Sequence, residues 1–194
     1  MGMNIKDALK FMCKYVRHPA RIGAICPSSS FLARRMVAAV GSVGEGDVIV
    51  ELGAGTGAVT SKLCPLAAGG GAKLYCVEFD GALARILEER FPAAVIVNDS
   101  AENIEKILAG EDSKRVKAIV SCLPLVSLPG KVVSAILNAS ENALPKGGRF
   151  IQFTYNLVRS PESLGFKKMR HEKVSFVALN IPPARVDVFV KESQ

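Results

Sequence analysis

The chain of 194 residues has no tryptophan, only two histidines, and no cysteine pair spaced as CxxC. Its five cysteines (Cys13, Cys26, Cys64, Cys76 and Cys122) are scattered. That distribution speaks against a zinc site or a disulfide framework and reads as reduced thiols in a cytoplasmic protein, with no metal expected. No apolar run approaches the roughly 18–20 residues of a membrane span. The basic N-terminus lacks the uninterrupted apolar stretch of a signal peptide. Internal repeats and low-complexity tracts are also missing, which removes solenoids and disordered linkers. What remains is a chain with 49% apolar residues, long enough for one domain over 1–194. Within it, residues 1–40 read as a helical arm or lid and 41–194 as the core.

Acidic residues are scarce at one end. Residues 1–40 hold Lys6, Lys10, Lys14, Arg17, Arg21, Arg34 and Arg35 against Asp7 alone, so nearly all of the net charge of +7 belongs to this arm. Basic patches favour phosphate-bearing partners, either RNA or an anionic membrane surface. Residues 4–18 follow a helical period, with Ile5, Ala8, Leu9, Met12, Tyr15 and Val16 on one side and Lys6, Lys10, Lys14 and Arg17 opposite. Pro19 ends that helix. A helix of this kind either lies in a membrane interface, lysines at the lipid phosphates, or packs on the body as a lid. A second helix is expected from Ser29 or Ser30 through "FLARRMVAAV", with serine as its N-cap.

From residue 47 the pattern alternates. Strands are expected at 48–52, 73–77, 94–98, 116–121, 149–154, 173–180 and 185–190, and helices near 57–66, 81–90, 101–109 and 130–143. Alternation with short connections predicts an α/β fold, its seven-stranded, mainly parallel sheet covered by helices on both faces. The last two strands have no helix between them and read as an antiparallel C-terminal hairpin.

Between the first strand and its helix runs "VIVELGAGTGAVT", Val48 to Thr60. Gly53 and Gly55 allow the chain to turn sharply and approach a ligand, and Gly57 permits close packing as the helix begins. Glycine spacing alone fits a dinucleotide as well. Glu51, two residues ahead, gives ExGxGxG. Glu78, with Phe79 beside it, ends the second strand where a carboxylate accepts both ribose hydroxyls. Asp99 and Ser100 end the third strand, placed for an adenine amino group and ring edge. Asp80 stands where it can cap the next helix. Together these positions resemble class I S-adenosylmethionine-dependent methyltransferases. The resemblance implies a Rossmann-like fold, S-adenosylmethionine as methyl donor and S-adenosylhomocysteine as product.

The fourth strand ends in "SCLPL", Ser121 to Leu125. Amino-methylating relatives of this fold often carry [DN]PP[YF] or NxPY there, an amine-gripping amide with a stacking aromatic. This chain keeps the proline and loses both, which argues against a planar nucleobase. Three stretches, "FMCKYVRHPARIGAICPSSSFLARRM", "IVSCLPLVSLP" and "FIQFTYNLVRSP", look like the bacterial phospholipid N-methyltransferases, which act on phosphatidylethanolamine. Cys122 departs from the glycine of that family's SGLPL. The resemblance implies a peripheral enzyme on the inner face of the cytoplasmic membrane, with Tyr155, Tyr15 and Ser121 at the acceptor amine. Tyrosine rings there would hold the growing ammonium by cation–π attraction. Arg21, Ser28 and Ser29 suit a lipid phosphate or the cofactor carboxylate. An rRNA adenine dimethyltransferase-like protein is the alternative. His18 and His171 read as surface or structural residues.

Overall fold

Residues 30–192 are described in the computed structural model. The basic amphipathic segment, with Lys6, Lys10, Lys14, Tyr15, Arg17, His18 and Arg21, lies outside the described residues, as do Ser28 and Ser29.

The first described element is helix α1 (Ser30–Val40), which buries Leu32, Ala33, Met36 and Val40. Gly41, at φ +82°, ends it in the left-handed conformation that glycine adopts without penalty. Arg149 reaches across from the sheet and donates to the last carbonyls of α1, Ala39 O at 3.1 Å and Val40 O at 3.2 Å. A cation at that end also complements the helix dipole. Ser30–Val40, which the sequence pattern groups with the arm, is therefore packed into the core.

Strand β1 (Val48–Leu52) is buried at all five positions, as expected of a central strand covered on both faces. After it come α2 (Thr60–Gly70), β2 (Lys73–Val77), α3 (Gly81–Arg90), β3 (Val95–Val97), the short α4 (Ile104–Ile107) and β4 (Val116–Ser121). The chain closes with α5 (Gly130–Ala143), β5 (Arg149–Thr154), β6 (Met169–Val177) and β7 (Ala184–Lys191). The strands form one sheet in the order β3-β2-β1-β4-β5-β7-β6. β1 to β5 pair in parallel, and β7 runs antiparallel between β5 and β6. One face of the sheet packs on α1, α2 and α3 through residues such as Met36, Leu63, Ile49 and Val120. The other packs on α4 and α5 through Ile104, Ile136, Phe150 and Phe189.

Several boundaries differ from the sequence expectation, and the following have a visible cause. α2 starts at Thr60 because Gly57 sits at φ +83°, which a right-handed helix cannot use. The segment 101–109 breaks into a 3₁₀ turn, Ala101–Asn103, and a single α-turn. β6 begins at Met169 because it follows β7 along its whole length, Met169 facing Lys191, and it stops at Val177 where the proline-containing hairpin turn begins.

Met36 is fully buried whereas Arg35 is exposed. Met36→Ala is expected to lower the free energy of unfolding by about 2–5 kcal/mol, and Arg35→Ala by less than about 0.5 kcal/mol. Urea denaturation of the two variants checks this; equal midpoints would mean that α1 is not part of the core.

Candidate active site

In an open α/β sheet, ligands bind beyond the carboxyl ends of the strands, where the strand order reverses. Here that point lies between β1 and β4, and a cavity of about 380 Å³ opens over it. One end of the cavity is walled by Gly53, Gly55, Glu78, Phe79, Asp99 and Ser100. The other is walled by the turn after β4 (Cys122 to Ser127), by Gln152 to Thr154 of β5 with Tyr155 just beyond it, and by residues of the loop 156–164.

The first end is built around Glu78. Its Oε2 accepts the Gly55 N–H at 2.8 Å, and its Oε1 accepts the Asp80 N–H at 2.8 Å. Burial pushes the Glu78 carboxyl above its ordinary range, and these two backbone donors pull it back in part. Asn98 Nδ2 donates to the carbonyls of Glu78 and Phe79 at 2.8 and 3.0 Å, fixing the strand end. Asp80 caps α3 by accepting from Ala82 N and Leu83 N. Asp99 Oδ1 accepts from Ser100 N at 2.7 Å and Asn103 Nδ2 at 2.8 Å, leaving its other oxygen for the cavity. A wall of Val77, Phe79, Leu83 and Ala101 beside these carboxylates suits an aromatic base with a ribose.

The glycine turn is required by what surrounds it. A Cβ on Gly53, already at φ +73°, would stand 2.6 Å from Leu123 Cδ2; one on Gly57 would stand 2.4 Å from the Phe91 ring. Gly57 thus serves packing and does not line the cavity. Neither does Glu51, which is sealed beneath the turn. Glu51 accepts from Thr60 Oγ1 at 2.6 Å and from the thiols of Cys76 and Cys122 at 3.5 and 3.7 Å. Cys122, where the resemblance implies glycine, therefore has a partner in this chain. Its thiol is pushed up by burial and by the Glu51 charge, which lowers the share of the nucleophilic thiolate.

At the other end, Leu123, Pro124 and Leu125 present an apolar surface, and Tyr155 lines the cavity edge-on to Phe153 with ring centroids 5.4 Å apart. Ser121 is fully buried below the cavity wall and does not line it, so a direct contact between its hydroxyl and a ligand is not supported. Three buried polar residues without a role in the sequence motifs do line it: Gln152, Arg185 and Asp187. Arg185 donates to Asp187 Oδ2 at 2.9 and 3.1 Å, and to the carbonyls of Leu157 and Arg159 at 2.9 and 2.8 Å, which ties the loop 156–164 to β7. The available signal was an acid and a base two apart inside the apolar strand "ARVDVFV", on the same face as Phe189.

Burial raises the Glu51 carboxyl from its ordinary 4.5 to about 7, its hydrogen bonds to Thr60, Cys76 and Cys122 opposing the rise. The folded chain keeps this proton up to about pH 7, whereas the unfolded chain releases it near 4.5. The folded state holds more protons across that window, so this group's contribution to stability falls as pH rises through it, by about 3 kcal/mol in full. Glu51→Gln is expected to flatten that part of the profile in urea unfolding at pH 5 and pH 8. A variant with the wild-type slope would remove Glu51 as its source.

No family model matches the chain. An ornithine lipid N-methyltransferase of Singulisphaera acidiphila is 29% identical over 153 residues, 77% of this chain and 79% of that protein. A ribosomal RNA small subunit methyltransferase A of Thermotoga petrophila is 33% identical over 136 residues, 70% of this chain. The match spans only 48% of that relative's length. Among solved structures, magnesium protoporphyrin IX methyltransferase of Synechocystis with bound S-adenosylmethionine aligns over 99% of this chain and 100% of its own, at a TM-score of 0.64 and 12% identity. TrmN of Thermus thermophilus aligns over 93% of this chain and 53% of its own, at 0.65 and 15%. The sheet order, the carboxylates at the ends of β2 and β3 and these relatives agree: the chain is an S-adenosylmethionine-dependent methyltransferase with a class I, Rossmann-like fold.

Proposed function

We propose that this enzyme methylates the amine of a membrane lipid, phosphatidylethanolamine and its partly methylated forms, at the inner face of the cytoplasmic membrane. The observation that carries the reading is the turn after β4. It offers the cavity Leu123, Pro124 and Leu125, with neither an amide nor a stacking aromatic next to the proline. A flat base would find no platform there, whereas an amine on a flexible, apolar-flanked chain fits. The ornithine lipid N-methyltransferase, by its name an enzyme of lipid amines, supports the same reading. So does the surface around the cavity. Val158 on the loop and Phe176, Leu179 and Ile181 on the β6–β7 hairpin are exposed, and Arg185 joins the loop to the base of that hairpin. The basic arm, with Lys6, Lys10, Lys14 and Arg17, adds attraction to anionic lipid, on the order of 1 kcal/mol per residue. Among the described residues no helix is long and apolar enough to cross a membrane.

S-adenosylmethionine, when bound, supplies a methyl group already activated on a sulfonium. In this reading Glu78 holds its ribose hydroxyls, Asp99 and Ser100 its adenine, and the backbone at Gly53 and Gly55 its amino-acid end. Glu51 acts through the turn it supports. The apolar walls exclude water and Tyr155 faces the acceptor, where a cation over its ring gains about 0.5–2 kcal/mol. A second reading, methylation of rRNA adenine, is favoured by the Thermotoga relative.

Incubation with labelled S-adenosylmethionine and, separately, phosphatidylethanolamine liposomes, ornithine lipid liposomes and undermodified rRNA separates the readings. Label in the lipid phase is expected; label in RNA alone would overturn the proposal. Glu78→Ala is expected to weaken S-adenosylmethionine binding about tenfold or more in calorimetry. An unchanged Kd would remove Glu78 from the cofactor site.

A further inference from the structure

Five buried side-chain atoms among the described residues have no hydrogen-bond partner, and four of them form a row: Ser121 Oγ, Gln152 Oε1, Asp187 Oδ1 and His171 Nε2. Ser121 faces Gln152 across β4 and β5, and Gln152 faces Asp187 across β5 and β7. Residues so paired project from the same face of the sheet. His171 completes the row from β6, its Nε2 3.6 Å from Asp187 Oδ1. Buried polar atoms are almost always satisfied, so the two exceptions whose residues reach the cavity wall, on Gln152 and Asp187, call for a partner there. Gln152 and Asp187 line that cavity, at 4% and 2% exposure.

Their neighbours fix which atoms stay free. Gln152 Nε2 spends its hydrogens on Leu123 O at 2.9 Å and Phe153 O at 2.7 Å; turning the amide would set its oxygen against both carbonyls. Asp187 Oδ2 is taken twice by Arg185, which is itself held by Leu157 O and Arg159 O. Oxygen acceptors, Oε1 and Oδ1, are therefore what these two side chains have left to offer. An anionic phosphate would meet a carboxylate at this spot. A group rich in N–H donors meets acceptors, against apolar walls from Leu125, Ile136 and Phe153.

We propose that Gln152 Oε1 and Asp187 Oδ1 are the receptor for the acceptor amine, and that Asp187 takes the proton which methylation requires it to lose. This deepens the lipid-amine reading and rests on it. An alkylamine is mostly ammonium at neutral pH. One proton passes from the ammonium to Asp187 Oδ1, freeing the nitrogen lone pair. The new N–C bond forms as the donor's S–C bond breaks, and the positive charge moves from sulfur to nitrogen. The proton on Asp187 then passes to His171 Nε2, in the tautomer carrying its hydrogen on Nδ1. The Nδ1 proton leaves toward Glu162, 3.8 Å away and 69% exposed, and so to water. Arg185, His171 and, beyond it, Glu162 are the charged or titratable groups disposed around Asp187.

Asp187→Asn tests this at constant shape. Arg185 holds the amide oxygen, so the NH₂ replaces Oδ1 and turns an acceptor into a donor. S-adenosylmethionine affinity is expected to be unchanged. Calorimetric affinity for dihexanoyl phosphatidylethanolamine, measured without donor, should fall on the order of 10- to 100-fold. Dihexanoyl phosphatidylcholine, which has no N–H, should not distinguish wild type from variant. His171→Gln should leave amine affinity intact, lower kcat by at least about tenfold and alter its pH profile. If Asp187→Asn loses S-adenosylmethionine binding through misfolding, Gln152→Met decides by the same amine titration. Wild-type amine affinity and wild-type kcat in a variant that binds the donor would overturn the proposal. A wild-type enzyme that methylates no amine lipid would be a different result, overturning the lipid reading and the receptor with it.

Discussion

The carboxylate of Glu78 is the joint on which the site depends. One oxygen holds the Gly55 N–H and the other the Asp80 N–H, so a single side chain pins the glycine turn to the start of α3. Without it two backbone donors at a cavity wall would lose their partner, and each buried unpaired donor costs about 1–3 kcal/mol. The turn carries the constraint onward. Gly53 packs closely on Leu123, whose side chain would have to shift to admit a Cβ, and Leu123 O in turn orients Gln152. The two ends of the cavity are therefore parts of one packed unit.

Three acids near this unit illustrate three ways of keeping a carboxyl inside a protein. Glu51 is sealed and stays protonated up to about pH 7, its oxygens occupied by a hydroxyl and two thiols. Glu78 is held by backbone N–H groups at the mouth of the turn. Asp187 is neutralised by Arg185 on one oxygen only. Glu51 avoids the cost of a buried charge by keeping its proton, whereas hydrogen-bond donors offset part of that cost for Glu78 and Asp187. Only the last two line the cavity, and those two carry the polar roles in the proposed chemistry.

The cavity wall formed by Gly53, Gly55, Glu78 and Asp99 was legible in the sequence. The glycine turn, Glu78 and Asp99 follow one another along β1, β2 and β3 at short range, so spacing along the chain reports spacing in the fold. Legibility fails where function comes from cross-strand register. Ser121, Gln152, His171 and Asp187 lie on four strands and meet only because β7 inserts antiparallel between β5 and β6. The same limit explains Glu51 and Ser121. Their place in the motif is visible, but whether a side chain lines a cavity or sits beneath it depends on packing from the far face. The start of α2 departs from the sequence pattern for a local reason, the positive φ of Gly57.

The central claim is that this fold has been turned toward a lipid amine. Lipids extracted from a bacterium that makes no methylated amine lipids, carrying either this protein or its Glu78→Ala variant, test that claim most directly by mass spectrometry. Methylated phosphatidylethanolamine with the wild type and a marked loss of it with the variant is the predicted result. An unmodified lipid profile in cells that contain folded, S-adenosylmethionine-binding protein would contradict it.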